Sequence, residues 1–546
     1  MFKRRLLSCS IVAAALALSL AQPLSGSAAK LAPGPQPGSN NLVDQDHNLP
    51  FSSSKQNENA ITRDPITGVL VAGANDEIGE GPCPGTTAPL SSPCPFVRGV
   101  GVSGYYRSTD NGATWTGGVL PGTPGRYSGG DPSLDNGPGL CADGRFSYSC
   151  GTVIYYAGLE DPLDLDLHFS EALGVARSYD DGASWQAPVQ VAAAPKSAFD
   201  DHEWIAVDNK NPSSPFYGRV YVFWAVFCAS CAGNGNVKLY VAHSTDQGLS
   251  FTAPVQVSAA ASNASQGFRE TGQMAVASNG TVEVFWSESE DTPKTATLQV
   301  VATSSDGGQT FSAPTTISAV TDYPVRGTPF DVVDLFNRVP GMSARVDCYP
   351  HPAADPSSNR VYVVWCDFAG GSGSGDVKAA VSGDGLHWTS LGVIAAVAGR
   401  NAFFPAVGVS PSGIVSVAFD ALTAPSNANL WQTGVQVYDA YYVESRDAGA
   451  SFTAPVRVST SSSNPQASAY NNLQEQFIGD YIGIVAGKSA AYVVWTDSRN
   501  AALCQAVSSY QAAVYAGSKK AVAPNPNKAC PSSFGDTDTY EAAVTY

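Results

Sequence analysis

Residues 177–185 have the sequence Arg-Ser-Tyr-Asp-Asp-Gly-Ala-Ser-Trp, which follows the pattern Ser-x-Asp-x-Gly-x-x-aromatic. In such a turn the Asp carboxylate can accept hydrogen bonds from backbone N–H groups, and the Gly supplies the position with positive φ. The pattern recurs at intervals of tens of residues, which is the signature of a repeat architecture. Its other copies lie at 107–115, 243–251, 303–311 and 444–452, with a shortened copy at 381–388.

Each copy belongs to a unit of four predicted strands, which we name a to d in chain order. The second strands, such as 219–224, are continuous apolar runs, so both faces of each small sheet must be covered. Sheets that stack face to face around an axis meet this requirement. The sequence therefore predicts an all-β fold, a β-propeller of four-stranded antiparallel blades. In the third unit, strands a to d are expected at 204–208, 219–224, 237–242 and 253–257.

The number of units favours seven blades, with six as the alternative if the first or last unit is only a partial blade. The seventh unit lacks the turn motif and ends at 539–545 in a predicted strand c. We expect the extended lead-in at 30–56 to supply the missing strand and close the ring, and 57–546 to form a single propeller. The units begin near residues 57, 130, 200, 268, 345, 400 and 478.

The N-terminus has the pattern of an export signal. Basic residues at 3–5 precede an apolar run at 6–20, and small residues at 27–29 offer a cleavage site. No later stretch approaches the roughly 20 apolar residues of a membrane span. We therefore expect a signal peptide at 1–29 and a secreted protein, either extracellular or periplasmic, without a membrane span.

Cysteine usage agrees with export, since ten of the eleven cysteines follow the predicted signal peptide and fall into local pairs. Other connectivities stay open on the sequence alone. The Cys-x-x-Cys at 228–231 is also open to a redox or metal role, although an exported chain favours a local disulfide. The expected disulfides are Cys83–Cys94, Cys141–Cys150, Cys228–Cys231, Cys348–Cys366 and Cys504–Cys530.

The chain is acidic, with 30 basic and 47 acidic residues and a formal net charge of −17. Because it lacks the basic footprint of a nucleic-acid-binding protein, we expect no nucleic-acid partner and a monomer with a solubilising surface. An acidic run offers oxygen ligands for Ca²⁺, but its spacing is not that of an EF-hand loop, so a solvated loop and no cofactor are expected. The run contains Asp161, Asp164, Asp166 and His168.

Strand direction separates two faces of the predicted propeller. Antiparallel strands alternate in direction, so the repeated turns between strands c and d lie on the bottom face and are structural. The top face receives the variable b–c loops and the residues just before each strand a, which are expected to ring the mouth of the central channel. These residues are Asn57, Glu58, Asp131, Asp200, Asp201, His202, Glu203, Arg269, Glu270, Arg345, Asp347, Arg400, Asn401, Asp480 and Tyr481.

Arginine, carboxylate and tyrosine side chains that converge on one concave site can bind and process an anionic sugar. The alternative is a set of polar caps and salt bridges that only stabilise the channel. For His202, the corresponding alternative to a catalytic base is a hydrogen-bonded channel residue.

The repeated turns resemble the Asp box, or bacterial neuraminidase repeat, of the sialidase superfamily, through units one to six. The resemblance implies a sialidase-like propeller that binds extracellular glycan and hydrolyses it as an exo-sialidase does. Sialidases clamp the sugar carboxylate with three arginines, and use a tyrosine nucleophile, its glutamate partner and an aspartate acid/base. Carried over to this chain, the arginines are Arg269, Arg345 and Arg400, with Tyr481 as nucleophile, Glu270 as its partner, Asp200 or Asp201 as acid/base, and His202 and Asp480 as further substrate-binding residues.

Two other functions stay open. The Phe/Tyr-Arg-Ile-Pro motif of sialidases is missing from unit one, where 59–63 read Asn-Ala-Ile-Thr-Arg, and its absence favours a non-catalytic secreted binding or adhesion propeller. The third function is hydrolysis of a neutral polymer by two carboxyl groups, which need a separation of about 5–9.5 Å.

Overall fold

The structure is a computed structural model. It describes residues 34–45, 49–163, 171–193, 198–228, 236–258, 269–288, 297–323, 337–368, 374–425 and 436–546, without the side chains of 228, 236 and 269–271. The predicted signal peptide at 1–29 lies outside the described residues. Pro35–Tyr546 forms one compact unit.

Seven small antiparallel sheets make up the fold, and in six of them the four strands pair in the order in which they follow along the chain. Two short strands, β1 (Gln36–Pro37) and β2 (Asn41–Leu42), precede the first sheet. Blade one contains β3 (Gln56–Arg63), β4 (Leu70–Asp76), β5 (Ser103–Ser108) and β6 (Thr116–Val119). Blade two contains β7 (Arg126–Leu140), β8 (Phe146–Pro162), β9 (Ala172–Ser178) and β10 (Gln186–Ala193).

The remaining blades continue the same order. Blade three contains β11 (Phe199–Val207), β12 (Val220–Cys228), β13 (Asn236–Ser244) and β14 (Val255–Gln256). Blade four contains β15 (Arg269–Val276), β16 (Val282–Glu288), β17 (Leu298–Ser304) and β18 (Thr315–Ala319). Blade five contains β19 (His351–Ala354), β20 (Val361–Asp367), β21 (Asp376–Ser382) and β22 (Trp388–Ala395). Blade six contains β23 (Ala402–Val409), β24 (Val415–Leu422), β25 (Tyr438–Ser445) and β26 (Val456–Arg457). Blade seven contains β27 (Gly483–Ala486), β28 (Ala490–Asp497) and β29 (Asp538–Thr545).

The N-terminal lead-in completes blade seven. β1 and β2 both pair antiparallel with β29, with Pro37 opposite Val544 and Leu42 opposite Tyr540. The first and last described parts of the chain therefore share one sheet, which closes the ring. The predicted seven-bladed propeller and the predicted closure by the lead-in are both confirmed.

The innermost strands form the wall of the channel, since each of β3, β7, β11, β15, β19, β23 and β27 contacts the next one around the ring. The second strands lie between neighbouring blades, and β20, β24 and β28 are buried along their whole length. This burial on both faces explains why their sequences are continuous apolar runs. Four second strands carry a fully buried tryptophan: Trp224, Trp286, Trp365 and Trp495.

The repeated turns between strands c and d share one hydrogen-bond pattern. In blade two, Asp180 Oδ1 accepts from the Ser178 hydroxyl and from the Ser184 N–H, both at 2.8 Å, and Oδ2 accepts from the Ser184 hydroxyl at 2.6 Å. The Gly182 N–H donates to Ser178 Oγ at 2.8 Å. Corresponding bonds hold the carboxylates of Asp110, Asp246, Asp306 and Asp447. These carboxylates lock their own turns, as predicted.

A second small core forms on the top face, where the sequence pattern predicts no helix. Helix α1 (Gln505–Tyr515) and the short helix α2 (Pro526–Ala529) lie in the b–c segment of blade seven. Val507, Tyr510 and Val514 of α1 pack with Phe51 and Leu473 into a buried cluster. Two disulfides, Cys83–Cys94 and Cys504–Cys530, join the same cluster.

Four of the expected disulfides are present: Cys83–Cys94, Cys141–Cys150, Cys348–Cys366 and Cys504–Cys530. Cys231 and the side chain of Cys228 lie outside the described part of the chain, so that pair stays a prediction. No helix among the described residues is both long and apolar enough to cross a membrane.

Candidate functional site at the mouth of the channel

Four innermost strands in the described part of the chain combine a register shift with a residue of positive φ near their top ends, and in three of them this irregularity carries a charged or ionisable residue. In these three, the pairing register shifts between Asn57 and Ala60 in β3, between Gly130 and Ser133 in β7, and between Asp201 and Trp204 in β11. A residue with positive φ lies in each shift: Glu58 at 58°, Asp131 at 53° and His202 at 49°. The fourth is β23, where the register shifts between Phe403 and Ala406 and Phe404 has a φ of 50°. Non-glycine residues in this region cost about 1–3 kcal/mol each and cluster at functional sites. A bulge of this kind re-aims the side chains of a strand.

The bulges revise one expectation from the sequence. Glu58, Asp131 and His202 are expected just before strand a, but they lie inside β3, β7 and β11. Backbone pairing resumes above each bulge, for example between Asp200 and Val226, and this pairing extends the strand past the polar residues. The polar residues are thus held by the sheet on both sides, rather than by a loop.

Three carboxyl groups from three blades meet at these bulges. Asp131 is hydrogen-bonded through its side chain to both Glu58 and Asp201. Asn75 braces the row, since its Nδ2 donates to Glu58 Oε2 and its Oδ1 accepts from the Asp131 N–H, both at 2.7 Å. Burial, followed by the neighbouring carboxylates, raises the pKa of Asp131 to about 6 and of Asp201 to about 7. The row therefore holds both carboxylic acid and carboxylate near neutral pH.

Glu203 is a fourth carboxyl group beside this row. Its side chain is 4% exposed, and both of its oxygens are buried with no hydrogen bond from another described residue, although the N–H of Glu203 itself interacts with the carboxyl group. Burial, followed by the charge of Asp131, raises the pKa of Glu203 well above its usual range. An unpaired buried acceptor is costly, so the group is poised either to hold a proton or to meet a ligand.

Arg345 and Asp480 form a bidentate ion pair across the mouth. Arg345 Nε lies 2.6 Å from Asp480 Oδ1, and a terminal guanidinium nitrogen lies 2.5 Å from Oδ2. The same nitrogen lies 3.6 Å from Glu58 Oε1. The guanidinium also lies over the rings of Phe477 and Tyr470, at 4.9 and 5.5 Å from their centroids. Arg345 is therefore held by charge on one side and by aromatic faces on the other.

His202 and Asp347 flank this ion pair. His202 Nε2 lies 3.7 Å from Asp480 Oδ2, and its ring meets Tyr349 edge-on at 5.6 Å between centroids. Burial lowers the pKa of His202, which favours the neutral imidazole. Tyr349 donates to Asp347 Oδ2 at 2.8 Å, and burial, followed by the charge of Asp480, raises the pKa of Asp347 to about 7.

The Tyr481 hydroxyl donates to the carbonyl of Pro132 at 3.2 Å, and its ring meets Trp204 edge-on at 6.5 Å between centroids. Burial, followed by the charges of Glu58 and Asp131, raises the pKa of Tyr481 well above its usual range. Its hydroxyl is thus held as a neutral phenol next to the carboxyl row.

Four other residues are expected at the site. The side chains of Asp200 and Arg400 are described, whereas those of Arg269 and Glu270 are not. Asp200 is 1% exposed and lies near Tyr240 of its own blade. Burial raises the pKa of the Tyr240 phenol, and the charge of Asp200 raises it further. Arg400 lies in the turn before β23, with its N–H donating to Val397. No described hydrogen bond or ion pair joins the Arg400 guanidinium to Asp480.

We call the assembled group the mouth cluster. Sequence alignment of the units could bring its charged members together, because they lie within the few residues before each predicted strand a. Tyr349, Tyr470 and Phe477 were missed, since they lie in the connections between blades, where no strand period identifies them. The mouth cluster consists of Glu58, Asp131, Asp201, His202, Glu203, Arg345, Asp347, Asp480 and Tyr481.

A cavity of about 330 Å³ continues along the channel below the mouth cluster. Trp204 and His351 line its upper part, where their rings meet edge-on at 5.5 Å, and Lys210 and Lys488 line it near the a–b turns. His351 Nδ1 accepts from the Val407 N–H at 3.2 Å, and burial lowers the pKa of His351 to about 3. The imidazole is therefore a neutral structural acceptor.

The described residues contain no group of three or more His, Cys, Asp or Glu side chains arranged to hold a metal ion. Of the acidic run considered for Ca²⁺, Asp164, Asp166 and His168 lie outside the described residues. Asp161 lies in β8, where it pairs with Tyr127 of β7.

Comparison with solved structures finds distantly similar proteins. An α-L-arabinanase from Penicillium chrysogenum is 14% identical, with 70% of this chain and 94% of that chain covered and a TM-score of 0.43. An α-L-arabinofuranosidase from Fusarium graminearum is 12% identical, with 93% and 98% covered and a TM-score of 0.41. A sialidase from Trypanosoma rangeli is 12% identical, with 79% and 55% covered and a TM-score of 0.37.

These likenesses concern the fold alone. No protein-family model matches the chain. A search of characterised proteins by sequence also finds no match.

Proposed function

We propose that this protein is an exported glycoside hydrolase that cleaves a glycan at the mouth cluster by acid–base catalysis. The observation that carries the proposal is the row of Glu58, Asp131 and Asp201, three hydrogen-bonded carboxyl groups on strained bulges of adjacent blades. Glycoside hydrolysis needs one carboxyl group that is protonated and a second that is ionised. The resemblance of the repeated turns to the Asp box supports a glycan as the substrate.

The pKa values suggest the roles in this row. Asp201, with a pKa of about 7, is the better general acid and would donate its proton to the glycosidic oxygen. Asp131, with a pKa of about 6, would act as the ionised partner, which attacks the anomeric carbon or activates water. Because Asp131 is hydrogen-bonded to Asp201, the bound sugar would have to enter between the two carboxyl groups and separate them to the roughly 5 Å that this chemistry needs. Tyr481 and His202 border the row and would contact the sugar rather than carry charge.

The charge of the mouth favours this scheme over the exo-sialidase scheme. A sialidase needs free arginines that converge on the sugar carboxylate. Arg345 already gives two guanidinium nitrogens to Asp480, and no described contact brings Arg400 to it. Among the described side chains, an anionic sugar would also approach several carboxyl groups and one guanidinium, which is unfavourable by Coulomb's law. Sialidase activity is therefore the second candidate, and a non-catalytic propeller is the third.

The test is hydrolysis of a panel of neutral fluorogenic glycosides, polysaccharides and one sialoside by the purified protein. For the substrate that is cleaved, Asp201→Asn is expected to lower kcat/KM by about 10²–10⁴-fold, the usual contribution of a general acid. Activity should fall above a pH of about 7, as Asp201 loses its proton, and below a pH of about 6, as Asp131 gains one.

A matched control is Asp143→Asn, which removes an exposed carboxylate in the hairpin between β7 and β8. It should leave kcat/KM unchanged. If the Asp131→Asn and Asp201→Asn variants cleave a neutral glycoside as well as the wild-type enzyme does, the assigned roles are refuted. Cleavage of the sialoside alone would support the second candidate, and binding of glycans without any cleavage would support the third.

A further inference from the structure

We propose that the mouth cluster selects a glycan that carries a free amino group, whose ammonium binds beside Glu203. The inference rests on the proposed function for the choice of a glycan, and on the local charge for the choice of an amine. It concerns which sugar is selected, not whether the bond is cleaved.

Charge imbalance is the first observation. Apart from Arg345, which is paired with Asp480, the ionisable groups of the mouth cluster are acids or the neutral His202. Buried carboxyl groups in contact cannot all ionise without a counter-charge, because desolvation and mutual repulsion oppose it. A cationic ligand would supply this counter-charge from outside the protein. The carboxyl groups concerned are Glu58, Asp131, Asp201, Glu203, Asp347 and Asp480.

The unpaired state of Glu203 is the second and independent observation. Both of its oxygens are buried acceptors, and no other described residue donates a hydrogen bond to them. An ammonium group carries three N–H donors, a positive charge and no acceptor, so it can satisfy both oxygens and the adjacent row. A sugar hydroxyl offers a single donor and no charge. The geometry therefore favours an amine over a neutral group at this position.

Aromatic rings complete the environment of Glu203. The charge of Glu203 acts on the hydroxyls of Tyr156 and Tyr481, and Trp204 meets the Tyr481 ring. Aromatic faces attract cations and stack on sugar rings, so they are compatible with an amino sugar. The groups that face Glu203 are Asp131 from β7, Asp200 and Asp201 from β11, Tyr156 from β8 and Tyr481 from the residues before β27.

Binding of an ammonium would be coupled to release of protons. A nearby positive charge favours the ionised form of a carboxyl group, so the acids of the row would lose protons on binding. Isothermal titration calorimetry in buffers with different ionisation enthalpies measures this release directly. We expect net proton release at pH 6–7, where Asp131 and Asp201 titrate at about 6 and 7.

The experiment compares a tetramer of β-1,4-linked glucosamine with the tetramer of N-acetylglucosamine, which has the same backbone without the charge. The charged tetramer should bind at least about tenfold more tightly, which corresponds to about 1.4 kcal/mol. Glu203→Gln should abolish this preference by lowering the affinity for the charged tetramer. Glu283→Gln is the matched control, because Glu283 is also a buried carboxyl group with an unpaired oxygen, and it lies in β16 beside Asp384 of a repeated turn.

Equal affinity for the two tetramers would overturn the inference, and so would a preference that survives Glu203→Gln. Binding of Ca²⁺ with proton release, without any preference for the amine, would overturn it in favour of a metal site. Cleavage of a neutral glycan without amine selection would leave the proposed function standing and remove the inference. Tight, Glu203-dependent binding of the charged tetramer without cleavage would support amine selection and remove the proposed hydrolysis.

Discussion

The repeated turns on the bottom face and the mouth cluster on the top face both depend on carboxyl groups, but in opposite environments. Asp306 in a turn accepts from hydroxyl and N–H donors, and these bonds outweigh its slight burial and lower its pKa to about 2. Asp201 in the mouth is buried against other carboxyl groups, and its pKa rises to about 7. A carboxylate surrounded by donors stabilises a turn. A carboxyl group surrounded by other acids has a raised pKa and is available as an acid or base near neutral pH.

The largest expected difference between the two faces is in the ion pairs. Arg345→Ala should destabilise the protein by about 3–5 kcal/mol, because it leaves Asp480 buried and uncompensated. The ion pair of Arg145 with Asp143 on the bottom face has side chains that are 84% and 49% exposed, so Arg145→Ala should cause no measurable change. Urea unfolding of both variants measures the difference. Equal stability of the two variants would contradict the contrast.

The two faces should also respond to pH with opposite signs. Asp201 has its pKa raised from 3.8 to about 7, so its folded state binds the proton more tightly, and stability should fall as the pH rises from about 4 to about 7. Asp306 has its pKa lowered from 3.8 to about 2, so its contribution is lost only as the pH falls through that range. We expect a stability maximum near pH 4.

Unfolding free energies measured between pH 3 and 8 test this expectation. Asp201→Asn should flatten the decline above pH 4 by about 1.4 kcal/mol for each unit of pKa shift that it removes. Asp143→Asn should leave that decline in place. Stability that rises steadily from pH 4 to 7 would show that the mouth carboxyl groups are ionised in the folded protein.

The smallest expected effect is the loss of one repeated turn. Asp180→Ala removes the acceptor of bonds from Ser178 and Ser184, and should cost about 1–2 kcal/mol, because the exposed donors can turn to water. Glycan cleavage should be unaffected at temperatures where the variant stays folded. A loss of kcat/KM without loss of stability would mean that the turn does more than hold its blade.

Much of the mouth cluster could be predicted, but its pairing could not. Aligning the units brings Glu58, Asp131 and His202 to the same position along the innermost strands, with Asp201 one residue before His202. The alignment carries no information on the bulges, since a register shift leaves no mark in an irregular polar stretch. The partnership of Arg345 with Asp480 joins residues 135 positions apart, so no local pattern in the sequence indicates it.

The sequence by itself determined the architecture, because turn chemistry and apolar periodicity are local and repeat in every blade. It predicted the seven blades, the closure by the lead-in that β1 and β2 provide, and the structural role of the carboxylates in 177–185. Only the tertiary structure decided which charges of the mouth neutralise one another and which, like Glu203, are left without a partner. The physical reason is that burial and pairing are set by the neighbours that seven blades bring together, and these neighbours are distant in the chain.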